Sequence, residues 1–352
     1  MSVTINISGS VASLVVNTNR QGASITANGD EVWSAGPKPS KFKFSMPSDS
    51  LQLQLSYIQS ADNAVTIDWG DGSTPETSTG TTVNIKSHTY AAEGEYTVTF
   101  TCVVGESWEP GTDSYAFTGS SSLNRSKLTE ITFGDGVTKI HKSAFAREIS
   151  LTKIVIPDFI TQIGEQAFTN CTNVTEMHIG TGILSFENRW CATLTSLETI
   201  YLGNIATFAN ISPSASTPAN AEPFYQGAAS KAKAIYLNGT YQTFLTIPAS
   251  VPTVHQARFS KLGSILNIEV ASATIDTRAF MNSSALKKVW IRDTVTTING
   301  SSASNAPFSG CPDDMQIYCE ADEAPAGWES YWNYIASGTA ITPVWGQKTS
   351  PF

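Results

Sequence analysis

Residues 128–150 read LTEITFGDGVTKIHKSAFAREIS, residues 151–173 read LTKIVIPDFITQIGEQAFTNCTN, residues 174–196 read VTEMHIGTGILSFENRWCATLTS, and residues 197–203 restart as LETIYLG. Leu128, Leu151, Val174 and Leu197 recur every 23 residues, as do Ile131, Ile154, Met177 and Ile200. Phe133, Ile156, Ile179 and Leu202 keep the same step, and so do Phe145, Phe168 and Cys191. A fixed period of this size is the mark of a solenoid. Within a turn, Leu-x-x-Ile-x-Ile closes on apolar alternation, which predicts a short strand with one face buried. Gly134, Pro157, Gly180 and Gly203 end that strand. A second apolar pair follows (Val137 and Ile140, Ile160 and Ile163, Ile183 and Phe186), and then the inward pair Ala144-Phe145 or Ala167-Phe168. One turn buries too little to order itself, so several must stack between caps.

The pattern returns between Ile265 and Cys319, where Ala279-Phe280 and Leu286-x-x-Val289-x-Ile291 reproduce it, although Leu266 to Leu286 is a step of 20. Together these segments resemble the BspA-type leucine-rich repeat, a family of surface and adhesion proteins. The resemblance implies a solenoid with a display role and brings no catalytic residues. The end, CEADEAPAGWESYWNY…TPVWG, looks like the segment that closes such repeats. In the middle, ISPSASTPANAEPFYQGAASK interrupts the repeat near residues 209–232, with three prolines that exclude a regular helix. Residues 238–263 read as a second irregular insertion, with TYQTFL as one helical turn.

Upstream of the linker GSSSLNRSK (119–127), residues 48–120 alternate strongly in LQLQLSYI and carry VTIDWGDGS, SHTYAAEGEYTVTFTCVV and DSYAFTG. Trp69-Gly70-Asp71-Gly72, His88-x-Tyr90 and Gly94-x-Tyr96-x-Val98 resemble the motifs of the polycystic-kidney-disease (PKD) domain, an immunoglobulin-like sandwich. That resemblance implies that Trp69 and Tyr96 fill a core while Asp71-Gly72 turns the chain. Residues 1–47 read as a further small β module and possible docking end, in which LVVNTNRQGASITANG resembles small surface-associated domains of the PEGA type. The expected fold class is therefore all-β: immunoglobulin-like β-sandwich modules, then a leucine-rich-repeat β-solenoid over 121–319, then a cap over 320–352.

Composition narrows the function. Charged residues are only 14% of 352, the net charge is −9, and the 21 basic residues form no run, so nucleic acid and anionic membranes are not expected partners. No apolar stretch reaches the roughly 18–20 residues of a membrane span. Five cysteines without tight spacing, at 102, 171, 191, 311 and 319, suit buried thiols better than a disulfide framework or zinc. The four histidines share no metal-ligand spacing, and HExxH, GxSxG, Walker A and GxGxxG are absent. Asp68 and Asp71 offer calcium too few oxygens and read as turn chemistry. No catalytic residue, metal or cofactor is expected.

Two groups of aromatics are candidate binding residues. Phe224 and Tyr225 either display on a loop or replace the Ala-Phe element of a stretched turn. Trp328, Tyr331 and Trp332 either contact carbohydrate or cap the last rung. Met1-Ser2 leads directly into VTINISG without a signal-like segment, which favours a route to the surface other than secretion. The expectation is a non-enzymatic bacteriophage virion protein, a capsid decoration, head-fibre or tail-associated component. It would be held in multiple copies or as a homo-oligomer by virion proteins at its N-terminal modules, and would contact host-surface glycans or proteins through the solenoid. The alternatives are a secreted or wall-bound bacterial adhesin and, behind it, a polysaccharide depolymerase.

Overall fold

In the computed structural model the described residues are 38–103, 106–111, 116–118, 127–212, 222–224, 233–335 and 339–352, with the strands Leu14–Asn19, Gly22–Ala27 and Asp30–Ser34. Those three strands form one antiparallel sheet in sequence order. The chain is β-structured with one short α-helix among the described residues, Ile205–Asn210. Its dominant feature is a three-sided solenoid.

On the first side, Lys153–Ile156, Glu176–Ile179, Thr199–Leu202 and Ala234–Leu237 pair in parallel. The residues in matched register include Ile154, Met177, Ile200 and Ile235, all buried. A second stack continues this side with Phe244–Ile247, Asn267–Val270, Lys288–Ile291 and Gln316–Cys319. Two-residue strands line the second side, first Lys139–Ile140, Gln162–Ile163 and Ser185–Phe186, then Thr253–Val254, Thr274–Ile275, Thr297–Ile298 and Gly327–Trp328. The sequence signal for both sides is the same: each turn contributes one residue per side to a row that only its neighbours can bury.

The third side has no regular strand, yet its backbone also forms a ladder. Phe145 N donates to Ala167 O (2.8 Å), Phe168 N to Trp190 O (2.6 Å), Phe259 N to Ala279 O (2.9 Å) and Phe280 N to Pro307 O (2.9 Å). Five turns there each hold two residues in the left-handed region four positions apart, such as Ser143 and Arg147, Gln166 and Asn170, or Arg278 and Asn282. Phe145 stacks on Phe168 at 5.3 Å, and Phe280 on Phe308 at 5.5 Å. Three residues after the phenylalanine, a small polar side chain bonds back one turn: Cys171 Sγ donates to Phe145 O (3.1 Å), Ser283 Oγ to Phe259 O (3.4 Å) and Cys311 Sγ to Phe280 O (3.3 Å). Corner threonines do likewise at a spacing of 23, as Thr161 Oγ1 to Thr138 O (3.2 Å) and Thr294 Oγ1 to Ala271 O (2.8 Å). Turns approach so closely that a Cβ on Gly182 would lie 1.7 Å from Asp158 O.

The first turn is closed by the β unit that precedes it. Leu128–Thr132 pairs antiparallel with Ser40–Met46, inside the five-stranded sheet that also holds Gly94–Cys102, Val65–Asp68 and Glu76–Thr77. Against it lies a four-stranded sheet in which Gln52–Gln59 pairs with Val83–Thr89, Trp108–Pro110 and Phe117–Thr118. Tyr57 meets Phe100 at 5.4 Å between the two sheets. KFKFSMP, read from sequence with the module 1–47, thus supplies the strand that joins this unit to the solenoid. On the second side Trp108 N donates to Gly136 O (2.9 Å) and His141 N to Pro110 O (3.1 Å); on the third Ala116 N donates to Ala144 O (2.7 Å). The Glu109 carboxylate spans the same joint to His141 Nε2 (2.5 Å) and Lys139 Nζ (3.6 Å). The second and third ladders therefore meet a partner at their N-terminal end, which covers those edges, whereas on the first side Leu128–Thr132 pairs with Ser40–Met46 and a pocket of about 420 Å³ opens between it and Lys153–Ile156. Phe42 stacks on Phe145 at 6.1 Å, so one apolar core runs through both parts.

The PKD-like motif residues sit in this unit as follows. Trp69 is buried, stacks on His88 (4.7 Å), and donates Nε1–H to Glu76 Oε1 (3.0 Å). Tyr90 is buried and donates to Trp69 O (3.0 Å), and Tyr96 stacks on it at 4.0 Å. Gly70 has φ +78° and presses on Thr97 O, so that position needs glycine. Asp68 Oδ1 accepts from Gly70 N and Asp71 Oδ1 from Ser73 N, while Asp71 Oδ2 meets His88 Nε2 at 2.7 Å. Hydrogen bonds from Ser73 foremost, then from His88, hold Asp71 down at about 2.

Between the two stacks the solenoid is mended by an ion pair. The 238–263 stretch, read from sequence as irregular with TYQTFL helical, holds strands Thr240–Tyr241 and Phe244–Ile247 and then a whole turn ending in Arg258-Phe259. Arg258 takes the place that Ala144, Ala167 and Ala279 have in their turns. It is fully buried, meets Glu222 at 2.7 Å, and donates to Phe208 O (2.5 Å), Ala209 O (3.2 Å) and Ile211 O (2.6 Å) at the end of the helix. Phe224 lies beside it, fully buried at 5.7 Å from Phe208 and 6.1 Å from Phe259, and so continues the aromatic column.

Candidate functional site

Alternation decides what the first side shows to solvent. In each Ile-x-Ile triplet the outer residues point inward and the middle one points out. In the first stack those middle residues are Val155, His178, Tyr201 and Tyr236, which share one register. His178 stacks on Tyr201 (4.1 Å) and Tyr201 on Tyr236 (4.7 Å). Tyr241, on the hairpin strand that ends this stack, is 50% exposed and meets Tyr236 edge-on at 5.4 Å. The result is a half-exposed aromatic row along the solenoid axis. The separation of the rings follows from the strand spacing of about 4.8 Å.

The row has a charged N-terminal end. Glu176 accepts from Lys153 Nζ (2.6 Å) and meets His178 Nε2 at 2.5 Å. Burial alone would raise the Glu176 carboxyl, but the hydrogen bonds from Lys153 and His178 override it and hold it below its ordinary value. At the other end, a groove of about 390 Å³ opens where the two stacks meet, lined by Ile205, Leu237, Gln242, Phe244, Leu245 and Pro248 among others. Phe244 is 39% exposed there.

In the second stack the same outward register carries Thr246, Glu269, Trp290 and Tyr318. The C-terminal segment covers Trp290 in this half, while Thr246 stays exposed. Val344 adds to the last strand, donating to Ile317 O (2.9 Å) and accepting from Cys319 N (2.8 Å). The chain then turns back across the rungs. Trp290 Nε1 donates to Gln347 O (3.1 Å), Lys288 Nζ to Pro351 O (3.0 Å), and the Phe352 ring stands 6.4 Å from Trp290 and 5.1 Å from Phe244. Trp290 is left 5% exposed, under Phe352 on one side and the Arg292 guanidinium (4.3 Å) on another. Arg292 is itself held between Glu269 (2.6 Å) and Glu320 (2.7 Å).

The aromatics singled out by sequence lie elsewhere. Phe224 is in the core column, and Tyr225 lies outside the described residues. Trp328 and Trp332 are buried against each other (4.6 Å) and against Trp345, at 5.9 and 6.0 Å, over the last turn. Trp328 Nε1 donates to Val295 O (3.1 Å), while Tyr331 is 38% exposed beside Tyr334. The outward row went unremarked in the sequence, although the middle residue of each Ile-x-Ile triplet carried the signal. Among the described residues no three His, Cys, Asp or Glu side chains gather as a metal site, and no helix is long and apolar enough to cross a membrane. All five cysteines are buried free thiols.

A sequence model described as the BspA type leucine-rich repeat region matches residues 112–215 and 233–311 in six copies. Among solved structures, the chain is similar to a leucine-rich repeat protein from Bacteroides ovatus ATCC 8483, at 16% identity and a TM-score of 0.31, over 62% of this chain and 63% of that one. The chain thus spans less than two thirds of that protein's length. It is also similar to a leucine-rich cell surface protein from Faecalibacterium prausnitzii A2-165, at 18% identity and a TM-score of 0.26, over 62% of this chain and 68% of that one. No curated protein matches the chain.

Proposed function

The chain belongs to the BspA-type leucine-rich-repeat family, and from that premise we propose that it is a non-enzymatic display protein whose outward aromatic row contacts a host surface. The observation that carries the reading is the row itself. His178, Tyr201 and Tyr236 stand half exposed on a stiff sheet, where aromatic rings are the groups most often found to anchor a partner. Rigid backbone beneath them keeps the entropy cost of binding low.

On this reading the two-sheet unit that closes the first turn is the PKD-type, immunoglobulin-like module. With the strands before it, that unit is the end that docks on a bacteriophage particle as a capsid decoration, head-fibre or tail-associated protein. Support comes from the modular β architecture and from an N-terminal unit whose core is continuous with the solenoid, so that a load on one is borne by the other. Many copies on one particle would convert weak single contacts into firm attachment. The same architecture serves the alternative, an adhesin on a bacterial surface. Mass spectrometry of density-purified particles from the source culture separates the two. Co-banding with capsid protein at fixed stoichiometry is the expected result. Recovery only in the cell-wall or secreted fraction would remove the particle and leave the adhesin.

A further inference from the structure

The outward faces of the two stacks lie at equivalent positions of the repeat, on two sheets that do not pair with each other, and the groove between them holds Phe244, whose ring meets Phe352 at 5.1 Å. The C-terminal segment passes from Cys319 over Lys288 and Trp290 to Phe244, and Phe352 is 40% exposed there. Gln347 N donates to Cys319 O and Lys348 Nζ to Glu320 O at the last rung; further in, main-chain carbonyls accept from outward side chains (Gln347 O from Trp290, Pro351 O from Lys288), and one aromatic ring seats between two others.

We infer that this face is a single axial track for an extended polypeptide bearing an aromatic side chain. Its C-terminal half is filled in cis by residues 347–352, and its N-terminal half, from Phe244 to His178, receives a partner segment of the same chemistry. The inference rests on the display reading and names the partner class. Two features favour a polypeptide over a glycan. Within the row the ring faces are turned onto one another at 4.1 and 4.7 Å, so sugar faces find no broad aromatic plane between its ends. What the row presents instead is ring edges and the phenol hydroxyls of Tyr201, Tyr236 and Tyr241. These hydroxyls donate to carbonyls as Trp290 and Lys288 do in the covered half. The groove at Phe244 and Leu237 supplies an apolar seat for the aromatic side chain.

The test uses the full chain and a labelled peptide with the sequence of residues 347–352, Gln-Lys-Thr-Ser-Pro-Phe, read by fluorescence polarisation. One saturable site is expected. It should weaken at least about tenfold in the Tyr201→Ala/Tyr236→Ala variant, the scale of losing aromatic anchors, and stay unchanged in Tyr331→Ala on the cap. A chain ending at Gly346, which keeps Trp345 in the cap, should bind two peptides. If the alanine pair unfolds, Tyr201→Phe/Tyr236→Phe keeps the stack and should still lose a few-fold through the hydroxyls. Absence of saturable binding to the full chain, or binding indifferent to the row in both variant pairs, overturns the inference. A parallel arm measures binding of the full chain to host cells. Cell binding that needs the row but is untouched by excess peptide and competed by cell-wall oligosaccharide sinks the polypeptide and spares the display reading. Row-dependent peptide binding without cell binding does the reverse.

Discussion

Replacing Arg258 with methionine should be among the most damaging single changes in the solenoid. The side chain is fully buried, and so is its partner Glu222. Methionine fills much of the same volume but provides no donor. Three carbonyls at the end of the helix Ile205–Asn210 lose their hydrogen bonds, and a carboxylate loses its counter-charge in the core. Removing one partner of a buried ion pair costs about 3–5 kcal/mol. The double variant Arg258→Met/Glu222→Met should recover most of that loss, because an apolar pair of similar volume is about as stable as the ions it replaces. Urea unfolding followed by circular dichroism measures both. A single-variant loss below about 1 kcal/mol, or a double variant worse than the single, would refute the claim that this pair splices the two stacks.

Glu222 also predicts a pH dependence. Burial pushes its carboxyl up to about 7, against the pull of Arg258. A raised folded value means that its contribution is full below the ordinary carboxylate range and is lost as pH rises toward 7. Glu222→Gln should flatten the stability profile between about pH 4.5 and 7, and an unchanged slope would assign that titration elsewhere. Phe168→Ala opens the column between Phe145 (5.3 Å) and Trp190 (6.4 Å), and should cost about 3–5 kcal/mol in denaturant unfolding; a loss under 1 would deny the stacked core. The thiols should resist a disulfide-exchange reagent at pH 8 in the folded chain and react only on unfolding. Burial pushes Cys311 and Cys319 up to about 12, and raises Cys171 and Cys191 well above the ordinary thiol range. Rapid labelling of any of these four would contradict their placement.

The parts of the fold legible in sequence were those set by nearest neighbours along the repeat. Leu151, Ile154, Ile156 and Phe168 each recur one turn away, and a row of equivalent apolar residues has few places to go but inward. The turn at residues 244–259 hid because it breaks the pattern twice: Gln242 stands where Leu151 would predict leucine, and Arg258 stands where Ala167 would predict alanine. Its burial depends on Glu222 and on a helix end more than 40 residues earlier in the chain, which no local spacing reveals. Ser40–Met46 is similar. Its alternation announced a strand, but its pairing with Leu128–Thr132 is a long-range fact. The outward row was half legible. Period-two alternation marks Tyr201 and Trp290 alike as outward, and only the path of residues 344–352 covers one and leaves the other open.

The most direct test of the account is the attachment of purified full-length chain to host cells, measured beside the folded Tyr201→Ala/Tyr236→Ala variant. The account predicts saturable attachment that falls at least about tenfold when the row is removed, with thermal unfolding confirming that the variant still folds. Equal attachment by both proteins, or none by either, would contradict it.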